Sequence, residues 1–108
     1  NIDTIAAVDG VDAVFFGPGD LAASMGKLGQ AADAEVTDAI DRAAERVRAC
    51  GKAVGVLAPT PDIAERHLRT GYDFVSVANE AALLFSAASA SAQRFRQVAG
   101  TSVLEPGV

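Results

Sequence analysis

The chain has 108 residues, of which half are hydrophobic, and its formal net charge is −5. This length limits the chain to one domain at most, and the hydrophobic content excludes a disordered chain because it can build a core. The negative charge without a Lys/Arg run argues against nucleic acid as a partner, and the lack of a long apolar stretch argues against a membrane.

The first predicted element is the end of a helix. Ile2, Ile5, Ala6 and Val8 have the spacing of an amphipathic helix already under way, and Asn1 is not an initiator Met. This pattern leads us to expect a fragment of a longer protein.

Three short apolar runs follow, at residues 13–17, 53–58 and 74–78. Each run is nearly continuous, whereas a strand with one wet face would alternate. Continuous runs are typical of parallel strands that are covered on both faces. We therefore predict three parallel strands.

The helix predicted before the second strand has one apolar face and ends at Gly51, with Cys50 as a packing residue. Since Cys50 is the single cysteine, no internal disulfide exists, which is typical of a reducing compartment and favours a cytoplasmic protein. The members of the apolar face are Val36, Ile40, Ala43, Ala44 and Val47.

The next helix has a clear start, with Thr60 as N-cap and Pro61 at the first position, and Gly71 ends it. We expect its apolar side to contain Ile63, Ala64 and Leu68. His67 has no His, Cys or acid at metal-ligand spacing, and we interpret it as a residue of the helix surface.

A last helix is predicted over residues 80–98, with Asn79 as its cap and small residues from 86 to 92. After it, residues 101–108 have the composition of a flexible tail. Strand–helix–strand units of this kind are right-handed and give a parallel sheet. A (β/α)₈ barrel takes about 250 residues, so residues 1–100 are predicted to be an α/β domain of about three βα units, part of such a barrel.

The most informative segment follows the first strand, where Gly17, Pro18 and Gly19 lead to the carboxylate of Asp20. Ligands and catalytic groups collect at the carboxyl ends of parallel strands, so Asp20 is the first candidate for chemistry. The glycines suit a loop whose backbone passes close to a ligand. The alternative is that Asp20 only caps a helical turn that begins at Leu21.

Three segments carry a family resemblance. They are residues 16–26 (FGPGDLAASMG), 51–59 (GKAVGVLAP) and 68–77 (LRTGYDFVSV), and the similarity ends at Leu83 and Leu84. They resemble the HpcH/HpaI aldolase family, the 4-hydroxy-2-oxoheptanedioate and 2-dehydro-3-deoxyglucarate aldolases. The combination of GPxDL with GxLAP at this distance is a strong signature.

The resemblance implies that the chain is the C-terminal part of a TIM barrel. It also implies a carbon–carbon lyase, a class II aldolase, that uses a divalent metal (Mg²⁺, Mn²⁺ or Co²⁺) to polarise the 2-oxo group of pyruvate. Asp20 would be one of two metal carboxylates. The amides of Gly19 and Asp20 would hold pyruvate oxygens, Leu57 would contact the pyruvate methyl, and an aldehyde would be the other substrate. The last helix would exchange between subunits of a homo-oligomer, a hexamer in this family.

The resemblance also implies residues that these 108 do not include. The second metal ligand (a Glu), the base (a His) and the pyruvate-binding Arg of the family come from earlier strands. We therefore assign no catalytic residue within the chain and expect it to be inactive by itself. The alternatives are a relative of the citryl- or malyl-CoA lyases and an inactive truncated barrel that acts only in oligomerisation. Pro18 and the run 57–59 favour the aldolase.

Overall fold

The computed structural model describes residues 1–100, which fall into two compact units. The first unit is Asn1–Ala78, and the second begins at Asn79. No helix within the described residues is both long enough and apolar enough to cross a membrane. The predicted tail, 101–108, lies outside the described residues.

The first unit contains the three predicted strands and four helices. Two helices, α2 and α3, lie between the first two strands, where the sequence predicted only one. The elements in chain order are α1 (Ile2–Ala6), β1 (Ala13–Phe16), α2 (Pro18–Ser24), α3 (Ala34–Ala49), β2 (Ala53–Leu57), α4 (Pro61–Arg69) and β3 (Phe74–Ser76).

The strands form one parallel sheet in the order β1-β2-β3, as predicted. The register pairs Phe16 with Val56 and Val56 with Val75. Each strand returns to the sheet through helices, which is the connection that parallel strands require. The carboxyl ends of all three strands therefore meet at one edge of the sheet.

The two faces of this sheet have different surroundings. Alternate strand residues contribute to a core with α3, whose predicted apolar face is confirmed by the burial of Val36, Ile40, Ala44 and Val47. The strand residues on this side are Val14, Phe16, Val54, Val56 and Val75. The opposite side, which we call the uncovered face, carries the remaining strand residues Ala13, Phe15, Ala53, Gly55, Leu57, Phe74 and Ser76.

Gly55 lies at the centre of the uncovered face. The rings of Phe15 and Phe74, on the two outer strands, stack over it with centroids 5.7 Å apart. A Cβ at position 55 would overlap the Phe74 ring, so only glycine fits beneath the aromatic pair. The pair fills the middle of this face with apolar area.

Helix α3 begins and ends at residues suited to those positions. The Asp33 side chain, at the N-cap, accepts a hydrogen bond from the Glu35 amide at 2.9 Å. Cys50 is half-buried against the core, as its packing role predicted, and Gly51 turns the chain at φ +76°.

Helix α4 begins as predicted, but two of its side chains do not lie where the sequence placed them. The Thr60 hydroxyl accepts a hydrogen bond from the Ile63 amide at 3.4 Å, which confirms the cap. The His67 side chain is buried, with 2% exposed, whereas Leu68 is 56% exposed, so both expectations were wrong. The buried stripe of this helix passes through Ala64 and His67, and Leu68 lies 100° further around the axis.

The second unit is a single helix, α5 (Glu80–Ala99), within the described residues. The Asn79 side chain accepts a hydrogen bond from the Ala82 amide at 2.8 Å, so the predicted cap is confirmed. The helix ends at Gly100, whose φ is +81°. The helix predicted over 80–98 is therefore present with one further residue.

Candidate active site at the carboxyl ends of the strands

Helix α2 follows β1 with one residue between them. Gly17 is the N-cap, Pro18 is the first helical residue and Asp20 is the third. The predicted loop over residues 17–19 is therefore wrong, because the fixed φ of Pro18 suits the first turn of a helix. The alternative, a cap by Asp20 before a turn at Leu21, is also wrong, since Gly17 holds the N-cap position and no side chain caps the helix.

The carboxylate of Asp20 folds back toward the sheet. Its Oδ2 lies 3.6 Å from the position that a Cβ would take at Gly17. Gly17 has an extended backbone (φ −104°, ψ 98°) that continues β1, so alternation directs this position to the uncovered face, as at Phe15. Within residues 1–100 the Asp20 carboxylate forms no hydrogen bond or ion pair. It is an exposed, unpaired negative charge at the carboxyl edge.

Two backbone amides next to this carboxylate are hydrogen-bond donors. The first intrahelical bond of α2 runs from the Leu21 amide to the Gly17 carbonyl at 3.1 Å. The amides of Gly19 and Asp20 come before it and have no acceptor among the described residues, as expected in a first helical turn. No heavy atom approaches within 4 Å of the Cβ position at Gly19, so the backbone is open there.

The sheet register brings Leu57 and Ser76 to the same level. Since Phe16 pairs with Val56, Gly17 comes level with Leu57, and Leu57 itself pairs with Ser76. Neighbouring strands are ~4.8 Å apart, so a row of three positions crosses the edge of the uncovered face. We call Asp20, Leu57 and Ser76 the carboxyl-end rim. The structure therefore brings the predicted site residues Gly19, Asp20 and Leu57 to one end of the sheet.

Ser76 is a member of this rim that sequence reasoning missed. Every other residue of the three strands on the uncovered face is apolar. The Ser76 hydroxyl donates to the Ala78 carbonyl at 3.4 Å, which is long for a bond between two oxygens. The signal available in the sequence was a single hydroxyl within the apolar run of residues 74–78.

A cluster of polar and aromatic side chains lies toward the amino end of the sheet. The Tyr72 hydroxyl donates to Asp41 Oδ1 at 2.7 Å, and Arg66 forms an ion pair with the other oxygen of Asp41. The Arg48 guanidinium lies 5.1 Å from the centroid of the Tyr72 ring. The His67 ring packs edge-on against the same Tyr72 ring, with the two centroids 4.5 Å apart. We call these five residues the Tyr72 cluster.

Burial and charge set the protonation states within the Tyr72 cluster. Burial acts to raise the pKa of Asp41, but the hydrogen bonds from Arg66 and Tyr72 outweigh it, so this pKa lies below its usual value. Burial, followed by the neighbouring Asp41, raises the pKa of Tyr72 well above its usual value. Burial, followed by the charge of Arg66, lowers the pKa of His67 against the opposing effect of Asp41. The cluster therefore holds an ionised Asp beside a neutral His at neutral pH.

The single histidine lies away from the rim. Helix α4 starts just after the carboxyl end of β2, and His67 comes six residues after Pro61, ~9 Å along the helix axis. Within the part of the chain that the structure describes, no group of three or more His, Cys, Asp or Glu side chains is placed to hold a metal. Asp20 is therefore not part of such a group among the described residues.

Known proteins are similar to this chain in sequence and in structure. The sequence model of the HpcH/HpaI aldolase/citrate lyase family matches residues 1–87. The 4-hydroxy-2-oxovalerate aldolase of Rhodococcus jostii (strain RHA1) is 52% identical over 99 residues, 92% of this chain and 38% of the relative. The hydroxypyruvate/pyruvate aldolase of Pseudomonas aeruginosa is 45% identical over 96 residues, 89% of this chain and 36% of the relative.

A solved structure agrees with both matches. A HpcH/HpaI aldolase/citrate lyase family protein from Burkholderia cenocepacia J2315 superimposes with a TM-score of 0.75 at 35% identity, over 88% of this chain and 37% of that one. The chain thus spans about 38% of the length of the curated relatives that it matches, and its parallel βα units form part of a TIM barrel. With its family model covering most of its length, the chain belongs to the HpcH/HpaI aldolase/citrate lyase family.

Proposed function

We propose that the chain forms part of the active site of a divalent-metal-dependent aldolase that makes or cleaves 2-oxo-4-hydroxy acids, with pyruvate and an aldehyde as substrates. The observation that carries the proposal is the unpaired Asp20 carboxylate over Gly17, at the carboxyl edge of a parallel sheet. The substrate class is supported by the relatives, which are named as aldolases of 4-hydroxy-2-oxovalerate and of hydroxypyruvate or pyruvate.

Asp20 fits a metal ligand but does not complete a site. Mg²⁺ and Mn²⁺ prefer oxygen ligands and are commonly held by one or two carboxylates with water and substrate oxygens. The Asp20 carboxylate is exposed and unpaired, so it is free to supply one such ligand. We propose a Glu from a preceding strand as the second ligand, with Mg²⁺, Mn²⁺ or Co²⁺ as the ion. When bound, the ion would polarise the 2-oxo group of pyruvate and stabilise the charge that develops on it.

At the carboxyl edge of the sheet, two backbone amides and Leu57 would position pyruvate. The amides of Gly19 and Asp20 are free first-turn donors, and the N-terminal turn of a helix carries partial positive charge. We propose that they donate to the oxygens of pyruvate. Leu57 is apolar, half-buried and level with Gly17, which suits a contact with the pyruvate methyl.

The base and the pyruvate-binding Arg are assigned to other parts of a complete barrel. His67 is buried beside Tyr72, and its place along α4 separates it from the rim. The role of the described residues is therefore to ligate, to orient substrate and to shape the pocket.

A chimera tests this proposal. This chain replaces the segment that it matches in the Rhodococcus jostii aldolase, and metal-dependent exchange of deuterium into the pyruvate methyl is followed by proton NMR. We expect exchange in the chimera and a loss of at least ~100-fold in Asp20→Asn, because that change removes a charged ligand from an electrostatic site. Mn²⁺ binding, measured by calorimetry, should weaken in parallel.

The matched control is Asp62→Asn. Asp62 is also an exposed acid in the first turn of a helix that follows a strand, so it shares any effect of the helix dipole. We expect this variant to keep exchange within about twofold, and the 108-residue chain by itself to show none. Equal activity of Asp20→Asn and Asp62→Asn would contradict a ligand role for Asp20.

We further propose that the protein is a cytoplasmic homo-oligomer, a hexamer by resemblance to its family, in which α5 lies at a subunit interface. The small residues from 86 to 92 permit close approach of another helix but bury little apolar area alone. Replacing Ala88 and Ala92, one turn apart, with Glu in the chimera should reduce the mass measured by light scattering and leave helical content unchanged. An unchanged mass for the folded variant would count against the interface.

A further inference from the structure

The carboxyl-end rim contains one polar group that the proposed function does not use, the hydroxyl of Ser76. It is the single polar side chain that the strands direct to the uncovered face, and it lies at the same edge as Asp20. Ser76 is only half-buried, and its hydroxyl lies at an exposed position. Its contact with the Ala78 carbonyl, at 3.4 Å, is too long to satisfy it well. Ser76 therefore has a donor to offer.

The row of rim positions sets the distance between the Ser76 hydroxyl and the Asp20 carboxylate. Gly17, beneath that carboxylate, is separated from Ser76 by one strand, so the two positions are about two strand spacings, ~10 Å, apart. Leu57 lies between them and is apolar. Pyruvate held beside Asp20 and Leu57 would be too short to reach Ser76, whereas the longer molecule formed by joining an aldehyde to its methyl carbon has the length to cross this row.

We propose that Ser76 determines specificity for the acceptor, by donating a hydrogen bond to an oxygen next to the aldehyde carbon, so that 2-hydroxy aldehydes are preferred over alkyl aldehydes. This inference rests on the proposed aldolase function. Ser76 takes no part in proton transfer or bond formation. It distinguishes acceptors because an alkyl aldehyde has no oxygen at that position to accept the hydrogen bond, and sites that pair a substrate hydroxyl favour it over analogues that lack it.

The test compares glycolaldehyde with propionaldehyde, which places a methyl group where glycolaldehyde has its hydroxyl. Both are condensed with pyruvate by the chimera, and kcat/KM is measured for each. We expect the ratio of the two values to favour glycolaldehyde and to fall about fivefold in Ser76→Ala, the size expected for one neutral hydrogen bond. Most of the change should appear in the KM for glycolaldehyde.

Two controls separate this inference from the function on which it rests. Ser76→Thr keeps the hydroxyl on a residue that suits a strand, and it should retain the preference. Deuterium exchange into pyruvate without any aldehyde should be unchanged in Ser76→Ala. Normal exchange together with an unchanged aldehyde ratio in Ser76→Ala, or a loss of the preference in Ser76→Thr as well, overturns the role of Ser76 alone. Absence of exchange in the unsubstituted chimera overturns the proposed function and this inference with it.

Discussion

The carboxyl-end rim and the Tyr72 cluster lie toward opposite ends of the same sheet, and they differ in how their polar groups are partnered. At the rim, the Asp20 carboxylate has no partner among the described residues, and the Ser76 hydroxyl has only a long contact. In the cluster, Asp41 accepts a hydrogen bond from Tyr72 and an ion pair from Arg66. Among the described residues, the rim leaves its carboxylate without a partner, whereas the cluster pairs Asp41 with Tyr72 and Arg66 and leaves buried Arg48 Nη2 and His67 Nδ1 without a partner.

This difference predicts that the two ends respond differently to the loss of a carboxylate. Removing an exposed, unpaired charge such as Asp20 costs the fold little, because no buried group depends on it. Removing Asp41 leaves the hydroxyl of a buried tyrosine without its partner. Function should therefore depend on the rim and stability on the cluster.

The largest effect on stability is expected for Asp41→Ala in the 108-residue chain. The free energy of unfolding of this variant, measured in urea, should be about 2 kcal/mol lower than that of the unsubstituted chain, because the buried Tyr72 hydroxyl loses its acceptor. The partly exposed ion pair with Arg66 adds little. The control is Asp38→Ala on the same helix, which is exposed and brings the same change in helix propensity.

A double-mutant cycle sharpens this prediction. In a Tyr72→Phe background, Asp41→Ala should cost clearly less, because no hydroxyl then remains to be left unpaired. Asp20→Asn should leave the unfolding free energy within about 0.5 kcal/mol of the unsubstituted chain. Equal losses for Asp41→Ala and Asp38→Ala, or a stability loss for Asp20→Asn as large as that for Asp41→Ala, would remove the distinction between the two ends.

Local patterns were sufficient to predict the elements and their order. Continuous apolar runs gave the parallel strands, and the caps at Thr60 and Asn79 were visible because capping depends on a few neighbouring residues. The start of α2 was missed, although its signal was equally local. Pro18 suits the first turn of a helix, whereas the two glycines beside it favour a loop, and the helix is the structure that forms.

The side-chain environments could not be read in this way, because they depend on residues distant in the chain. Tyr72 reaches Asp41 across 31 positions, and no local spacing connects them. The position of Ser76 beside Leu57 follows only from the register between strands. His67 shared the surface pattern of its charged neighbours, and its burial follows from the Tyr72 ring against which it packs.

That burial leads to a smaller, pH-dependent effect. The pKa of His67 is lowered by burial, and then by the Arg66 charge, with Asp41 opposing. The other two members of the cluster are the neutral Tyr72 ring, which packs against His67, and the charged Arg48. A folded-state pKa below the unfolded value of about 6.5 means that the unfolded chain binds the proton more readily. The contribution of neutral His67 is therefore fully present above pH 6.5 and is lost as the pH falls below it, with a slope of at most ~1.4 kcal/mol per pH unit.

The measurement is the unfolding free energy of the 108-residue chain in urea between pH 7 and pH 5. His67 is the single histidine, and the lowered pKa values of Asp3, Asp33 and Asp41 mean that their contributions are lost mainly as the pH falls below about 5, outside this window. His67→Phe keeps an aromatic edge against Tyr72 but cannot titrate, so it should abolish the slope whatever it does to the absolute stability. A slope that persists in His67→Phe would show that another group titrates in this range and that the cluster is not the pH-sensitive end of the sheet.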